Sequence, residues 1–206
     1  MGPGRAERRK AETRRRLIDA GRVVFAEKGV DAAAIAEITE AADVGFGTFY
    51  NHFQSKQELA AAVIVETLAA EGAALRACAA TLEDPAELVA VAHRHFIRRA
   101  SADSTWAWLI IRLDRATGAL ADTLSEYALG DLQSGVRAGR FALGEVLVLK
   151  NVQGGALVGA IRGMLAGETT PEETEHAHAQ AMLQLLGIPP SEAREIAWRP
   201  LPRGVG

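Results

Sequence analysis

Residues 44–56 read VGFGTFYNHFQSK, and no other stretch limits the possible folds as much. Small residues come first (Gly45, Gly47, Thr48) and large ones follow (Phe49, Tyr50, His52, Phe53). The piece from Gly45 to Phe53 makes about two helical turns. An apolar helical run, Ile35 to Ala42, precedes it across the short turn Ala42-Asp43-Val44, and a new helix opens at Ser55. A helix meant for a DNA groove needs this layout. Small residues at its start let the backbone approach bases and phosphates, while large residues further on anchor it to its own domain.

The flanking periodicity supplies that domain. From about Ala6 to Lys28 the pattern is helical, with Leu17, Gly21, Val24 and Phe25 tracing one stripe. Gly29 stops this helix. Ile35, Ile38 and Ala42 share a face of the second helix. Asp43 falls where a left-handed residue is expected, a conformation Asp tolerates better than most. The third helix runs from Gly45 to near Phe53. Phe49 and Phe53, four apart, point back toward Leu17, Phe25 and Ile38, giving a helix-turn-helix unit.

Charge adds a second clue. The whole chain of 206 residues has a net charge of −3, which by itself does not suggest a nucleic-acid binder. Residues 1–16, however, hold seven cations (Arg5, Arg8, Arg9, Lys10, Arg14, Arg15, Arg16) against Glu7 and Glu12, a net +5 that leaves −8 for the remainder. A basic arm on an acidic body suits a chain whose one end meets phosphate. The single cysteine, Cys78, excludes an intrachain disulfide and reads as a small core residue. The basic N-terminus lacks the apolar segment of a signal peptide, and no apolar run reaches membrane-spanning length. The expectation is a cytoplasmic protein with no membrane contact.

Beyond residue 55 every segment reads as helix. Ser55 and Glu58 form a capping box that opens a long helix to about Ala80. Asp84-Pro85 and Thr170-Pro171 are caps followed by proline at the first helical position. Further helices are expected over about 85–100, from Ser104, over 119–138 ended by Gly139, over 143–165, to Leu186-Gly187, and, after Pro189, Pro190 and Ser191, a last short one to Trp198. Glu145 to Leu149 alone could pass for a strand, but no second strand signal exists to pair with it. The expected class is all-α, with a helix-turn-helix domain over 1–55 and a larger helical domain over 56–206.

The run from Arg14 to Leu59 (RRRLIDAGRVVFAEKG … IAEITEAADVGFGTFYNHFQSKQEL) resembles the DNA-binding domain of the TetR family of transcriptional regulators. Its most specific part is Gly47-Thr48-Phe49-Tyr50-Asn51-His52-Phe53 with Ser55-Lys56. The resemblance is close over about the first quarter of the chain; the tail matches in helical plan. It implies a homodimer on a near-palindromic double-stranded DNA operator, usually a repressor, released by a small-molecule effector held in the C-terminal domain. It also implies roles. Arg14, Thr48, Tyr50, His52 and Lys56 match positions near DNA phosphates, and Gly45 and Phe46 lie where bases are met, with Gly47 between. Phe46 suits a thymine methyl. Three residues depart from the family pattern. Ala34 stands where a capping Thr is usual, so the cap, worth about 1 kcal/mol, is lost or passes to Asp31. Asp43 replaces a turn Gly. Gly45 replaces a Ser, leaving phosphate contact there to the backbone N–H and helix dipole.

The C-terminal part shows no catalytic set, no metal-ligand spacing and no cofactor motif, so no enzyme is expected. His93, Phe96, Trp106, Trp108 and Tyr127 could line an apolar cavity, with Arg112 or Asn151 as polar anchors; ordinary helix packing is the plainer alternative. Gly155, Gly159, Gly163 and Gly167 recur every four residues. Each interior glycine costs up to about 1 kcal/mol relative to Ala, and a smooth stripe lets another helix come close. It is assigned to a dimer interface with residues 171–186, the alternative being a helix of the same chain. Two other classes stay open: an all-α enzyme or carrier, and an architectural DNA-binding protein without effector.

Overall fold

The computed structural model describes residues 4–117, 132–142 and 146–202, and all their regular structure is helical. The helices are α1 (Arg5–Ala32), α2 (Ile35–Ala41), α3 (Phe46–Tyr50), α4 (Lys56–Ala79), α5 (Pro85–Ala102), α6 (Ser104–Thr117), α7 (132–137), α8 (Val146–Leu165), α9 (Pro171–Leu185) and α10 (Pro190–Ala197). Two compact units emerge. Among the described residues the first comprises 4–67 with 108–117, and the second 68–107 with 132–142 and 146–202.

In the first unit α1 is broken at Gly29, whose φ of 77° is a conformation side chains resist. Leu17, Ile18 and Phe25 of α1 join Ile38, Phe49, Phe53, Leu59 and Ile64 in a core closed to solvent. Gly21 sits where a Cβ would come within 3.0 Å of the Leu59 side chain, so α1 and α4 approach there at the level of the backbone. Because Leu59, Val63 and Ile64 complete this core, the unit reaches past the 55/56 division expected from the sequence. Arg112 of α6 also belongs to it: its guanidinium donates to the carbonyl of Ala26.

The tight turn follows the expectation. Asp43 adopts φ 51°, and the N–H groups of Asp43 and Val44 donate to the carbonyls of Glu40 (3.0 Å) and Thr39 (3.0 Å). The cap of α2 does not follow it. Asp31 does not replace the missing Thr; instead Glu37 accepts from the Ala34 N–H at 3.1 Å, half of a capping box. At α4, Ser55 caps the Glu58 N–H (3.1 Å), while Glu58 reaches back to the N–H of Gln54 (2.6 Å).

In the second unit α5, α9, α10 and α7 meet around Ala86, Val89, Ala90, Leu132, Ala179 and Leu183. Asp84 caps α5 by accepting from the Ala86 N–H at 2.9 Å and also takes two bonds from Arg140 (2.9 and 3.0 Å). Those Arg140 bonds outweigh the effect of burial and hold the Asp84 carboxyl below its ordinary range. Thr170 caps α9 as expected, and Glu173 completes a capping box there that the sequence reading did not include. Val146 to Leu149, ambiguous in sequence, are helical. Of the helix expected over 119–138, residues 119–131 lie outside the described residues.

Candidate nucleic-acid interface

α3 is short, and its construction explains what it presents. Gly45 is its N-cap, with extended backbone (φ −66°, ψ 146°) and no side-chain cap. The Thr48 N–H donates to the Gly45 carbonyl at 2.8 Å. Phe49 is fully buried and Phe53 nearly so, and their tilted rings lie 5.9 Å apart. Those two anchors turn the opposite face outward. Phe46 is 55% and Tyr50 53% exposed, packed edge to face at 5.8 Å. A Cβ at Gly47 would meet nothing within 4 Å, so the backbone there is open to an approaching surface. Two large rings held in water beside bare backbone form a face that awaits a partner.

The remaining candidate residues surround this face unequally. His52 is half-buried, and its Nδ1 is buried with no partner. Burial lowers its pKa first, and the nearby charges of Lys10 and Arg14 lower it further. Arg14 lies over the Phe53 ring at 4.7 Å, with Glu66 3.8 Å away. Lys56 is occupied differently from the expectation. Its Nζ donates to the carbonyls of Asp31 (3.0 Å) and Ala33 (2.7 Å), fixing the link between α1 and α2. Both carbonyls flank the chain break after Gly29, where no helical N–H reaches them, and the ammonium takes that place. Arg16 is a residue that the sequence reading missed. It donates to the Asp43 carbonyl (2.7 Å) and carboxylate (2.9 Å) and so holds the strained turn before α3. The signal that could have found it is an Asp at a positive-φ position with a cation-rich helix available.

Residues 17–63 match the family model described as bacterial regulatory proteins, tetR family, and residues 84–199 match that of the tetracyclin repressor-like C-terminal domain. The chain belongs to the TetR family of transcriptional regulators. Among solved structures, RolR in complex with resorcinol is 37% identical with a TM-score of 0.79, over 96% of this chain and 98% of that one. The Bacillus subtilis regulator FadR, in complex with stearoyl-CoA, shares the fold at 18% identity and TM-score 0.63, over 84% of this chain and 98% of that one. The HTH-type transcriptional repressor DhaR of Mycobacterium sp. (strain GP1) is 43% identical over 53 residues, 26% of this chain and 27% of its own length. UidR of Escherichia coli (strain K12) is 37% identical over 54 residues, 26% of this chain and 28% of its own. The matches to these curated relatives span little more than a quarter of their length.

The TetR resemblance also implies an effector site in the C-terminal domain, and the residues expected to line it are placed as follows. Trp108 and Arg112 fall in the first unit, where the Arg112 guanidinium lies 5.8 Å from the centre of the Trp108 ring while bonding to Ala26. Asn151 is exposed on α8. Phe96 and Trp106 do pair in the second unit, stacked at 6.4 Å, and the Trp106 Nε1 is buried with no partner. His93 accepts or donates one hydrogen bond with His178 at 3.1 Å. Burial takes His93 down to about 3 and His178 to about 4, so both rings are neutral. Tyr127 lies outside the described residues. Among the described residues of the expected pocket, Phe96 and Trp106 thus form a stacked pair, His93 pairs with His178, and Trp108 and Arg112 lie against one another.

The four glycines of the stripe differ in their surroundings. Gly167 lies beyond α8 with φ 77°, in the turn. A Cβ at Gly163 would meet the Glu168 carboxylate at 2.9 Å, whereas at Gly155 and Gly159 it would meet nothing within 4 Å. Val148 and Val152 continue that open face, 60% and 44% exposed. None of the described helices is long and apolar enough to cross a membrane.

Proposed function

We propose that this protein is a homodimeric, sequence-specific DNA-binding repressor, not an enzyme, that leaves its operator when a small effector binds the C-terminal unit. The observation that carries the reading is α3: Phe46 and Tyr50 stand in water while Phe49 and Phe53 lock the helix from behind. Gly45, Phe46 and Gly47 meet base edges, and Arg14, Thr48, Tyr50 and His52 meet phosphates. Lys56 acts first as the clamp on the α1–α2 link and meets phosphate through whatever donor remains. Dimerisation through Val148, Val152, Gly155 and Gly159 of α8, with the exposed Ala177, Ala181 and Leu185 of α9, sets two α3 helices about 34–36 Å apart on successive major grooves. Effector binding favours a dimer that no longer matches that spacing. The bound resorcinol of RolR makes small phenols the first effector class to try.

Selection of bound duplexes from a random pool, followed by sequencing, tests the reading. A near-palindrome with two half-sites is the expected result, and affinity for it should fall steeply with salt. An unenriched pool would favour an architectural DNA-binding protein instead. For the interface, Gly159→Leu should break the dimer in sedimentation; an unchanged dimer would remove α8 from it.

A further inference from the structure

Among the described residues Asp43 is the one non-glycine residue with a positive φ, 51°. That conformation brings Cβ against the following carbonyl oxygen, which is why glycine suits such turns best. Burial does not offset the strain, because the Asp43 side chain is 98% exposed. The carboxylate instead has a partner 27 residues upstream. Nη2 of Arg16 donates to the Asp43 carboxylate at 2.9 Å and to the Asp43 carbonyl at 2.7 Å. One guanidinium nitrogen therefore holds the side chain and the backbone of the strained residue at once, and both bonds are charge-assisted.

The two ends of this link differ in firmness. Arg16 directly precedes Leu17 and Ile18, both fully buried in α1. α3, by contrast, is five residues long, and its N-cap Gly45 supplies no side-chain bond. Phe49 anchors α3 from its C-terminal half, while Gly45, Phe46 and Gly47 at its start are exposed. Thr39, Glu40 and Thr48 supply local backbone bonds to the stretch 43–47, and the Arg16 bonds are those that reach it from α1. We propose that Arg16 is a positioning residue for DNA recognition: through Asp43 it fixes the end of α3 that carries Gly45, Phe46 and Gly47. The pair is neutral as a unit, so it acts on the placement of α3 and not on the number of phosphates met. This rests on the reading of α3 as the DNA-binding helix.

The test compares the full chain with Arg16→Ala, Asp43→Gly and the double variant. Anisotropy reads binding to the selected operator and to a scrambled duplex of the same length, and amide hydrogen exchange over residues 43–50 is followed without DNA. Arg16→Ala should speed exchange in this segment and weaken operator binding about tenfold more than scrambled binding, an ordinary coupling for residues in contact. Asp43→Gly accepts the turn without a brace. In that background Arg16→Ala should change exchange and operator preference less than about twofold. Equal losses on both duplexes, kept in the double variant and with the salt slope reduced by about 0.9 per protomer, would make Arg16 a phosphate ligand and overturn the proposal. Unchanged exchange and unchanged operator preference in Arg16→Ala overturn it as well, and leave the reading of α3 intact. If the wild type selects no motif, yet exchange rises in Arg16→Ala and returns in the double variant, the brace on α3 stands and the operator-reading regulator falls.

Discussion

The first unit closes around rings and branched aliphatic chains. Phe25, Phe49 and Phe53 are at most 1% exposed, and the buried polar side chain among its described residues is Thr39. The second unit buries Arg94, His95, Gln153, Thr174, Glu175, His176 and His178 along with its leucines. Glu175 receives Arg94 and Arg98, each at 2.7 Å, and these bonds overcome the burial that would raise its pKa, so it stays charged. One unit is thus a rigid mount that puts its chemistry outside. The other keeps polar groups within, some tightly paired like Glu175 and others, such as the Gln153 Nε2, buried with no partner, and an unpaired buried polar group is costly. The contrast suits a division between a part that reads DNA and a part that answers to a ligand.

The largest effects should come from breaking each core at its centre, and they should differ in kind. Phe49→Ala should cost about 3–5 kcal/mol in chemical denaturation, the loss of a buried ring plus its cavity. Glu175→Ala should cost about as much, because Arg94, 4% exposed, loses its carboxylate partner and keeps its bond to the Arg199 carbonyl as a buried charge. The discriminating variant is Glu175→Leu with Arg94→Met, which should recover most of that loss, as apolar pairs of similar volume often do. If it recovers nothing, the ion pair contributes more than its own compensation and the contrast is sharper than drawn.

Acid provides the next test. His93 and His178 have folded pKa values of about 3 and about 4, below the 6.5 of the free side chain. Between these limits the unfolded chain binds protons that the folded one does not. Their contribution is therefore full above about pH 6.5 and is lost as pH falls through 4 toward 3, at about 1.4 kcal/mol per pH unit for each ring. A His93→Leu/His178→Leu double variant should show a shallower acid limb in urea titrations run from pH 7 to 4. Parallel limbs would mean the pair is not buried neutral.

The smallest effect concerns the mount. Ala34→Thr should stabilise the first unit by about 1 kcal/mol through a restored cap on α2. No gain in denaturation midpoint would show that Glu37 and Lys56 already satisfy that end.

Local interactions made much of the mount legible. Phe49 and Phe53 are one helical turn apart, so their shared face follows from period alone, and Asp43 could be placed in its turn because few residue types accept φ near 51°. Asp84-Pro85 and Thr170-Pro171 announced their caps for the same reason: the bonded groups are two or three residues apart. The α3 face was legible to the same extent. Lys56 was not, because what it binds lies 23 and 25 residues upstream.

Other partnerships span still longer stretches of chain. Arg112 turns to Ala26, 86 positions away, and His93 to His178, 85 away. Sequence by itself determined the all-helical class, the caps of several helices, the apolar stripe of the first helices and the family. Those depend on backbone hydrogen bonding and side-chain period within a few residues. Tertiary structure decided which charges are spent internally and which face solvent. A hydrogen bond requires atoms within about 3 Å, and only the folded path of the whole chain brings residues so distant in sequence to that separation.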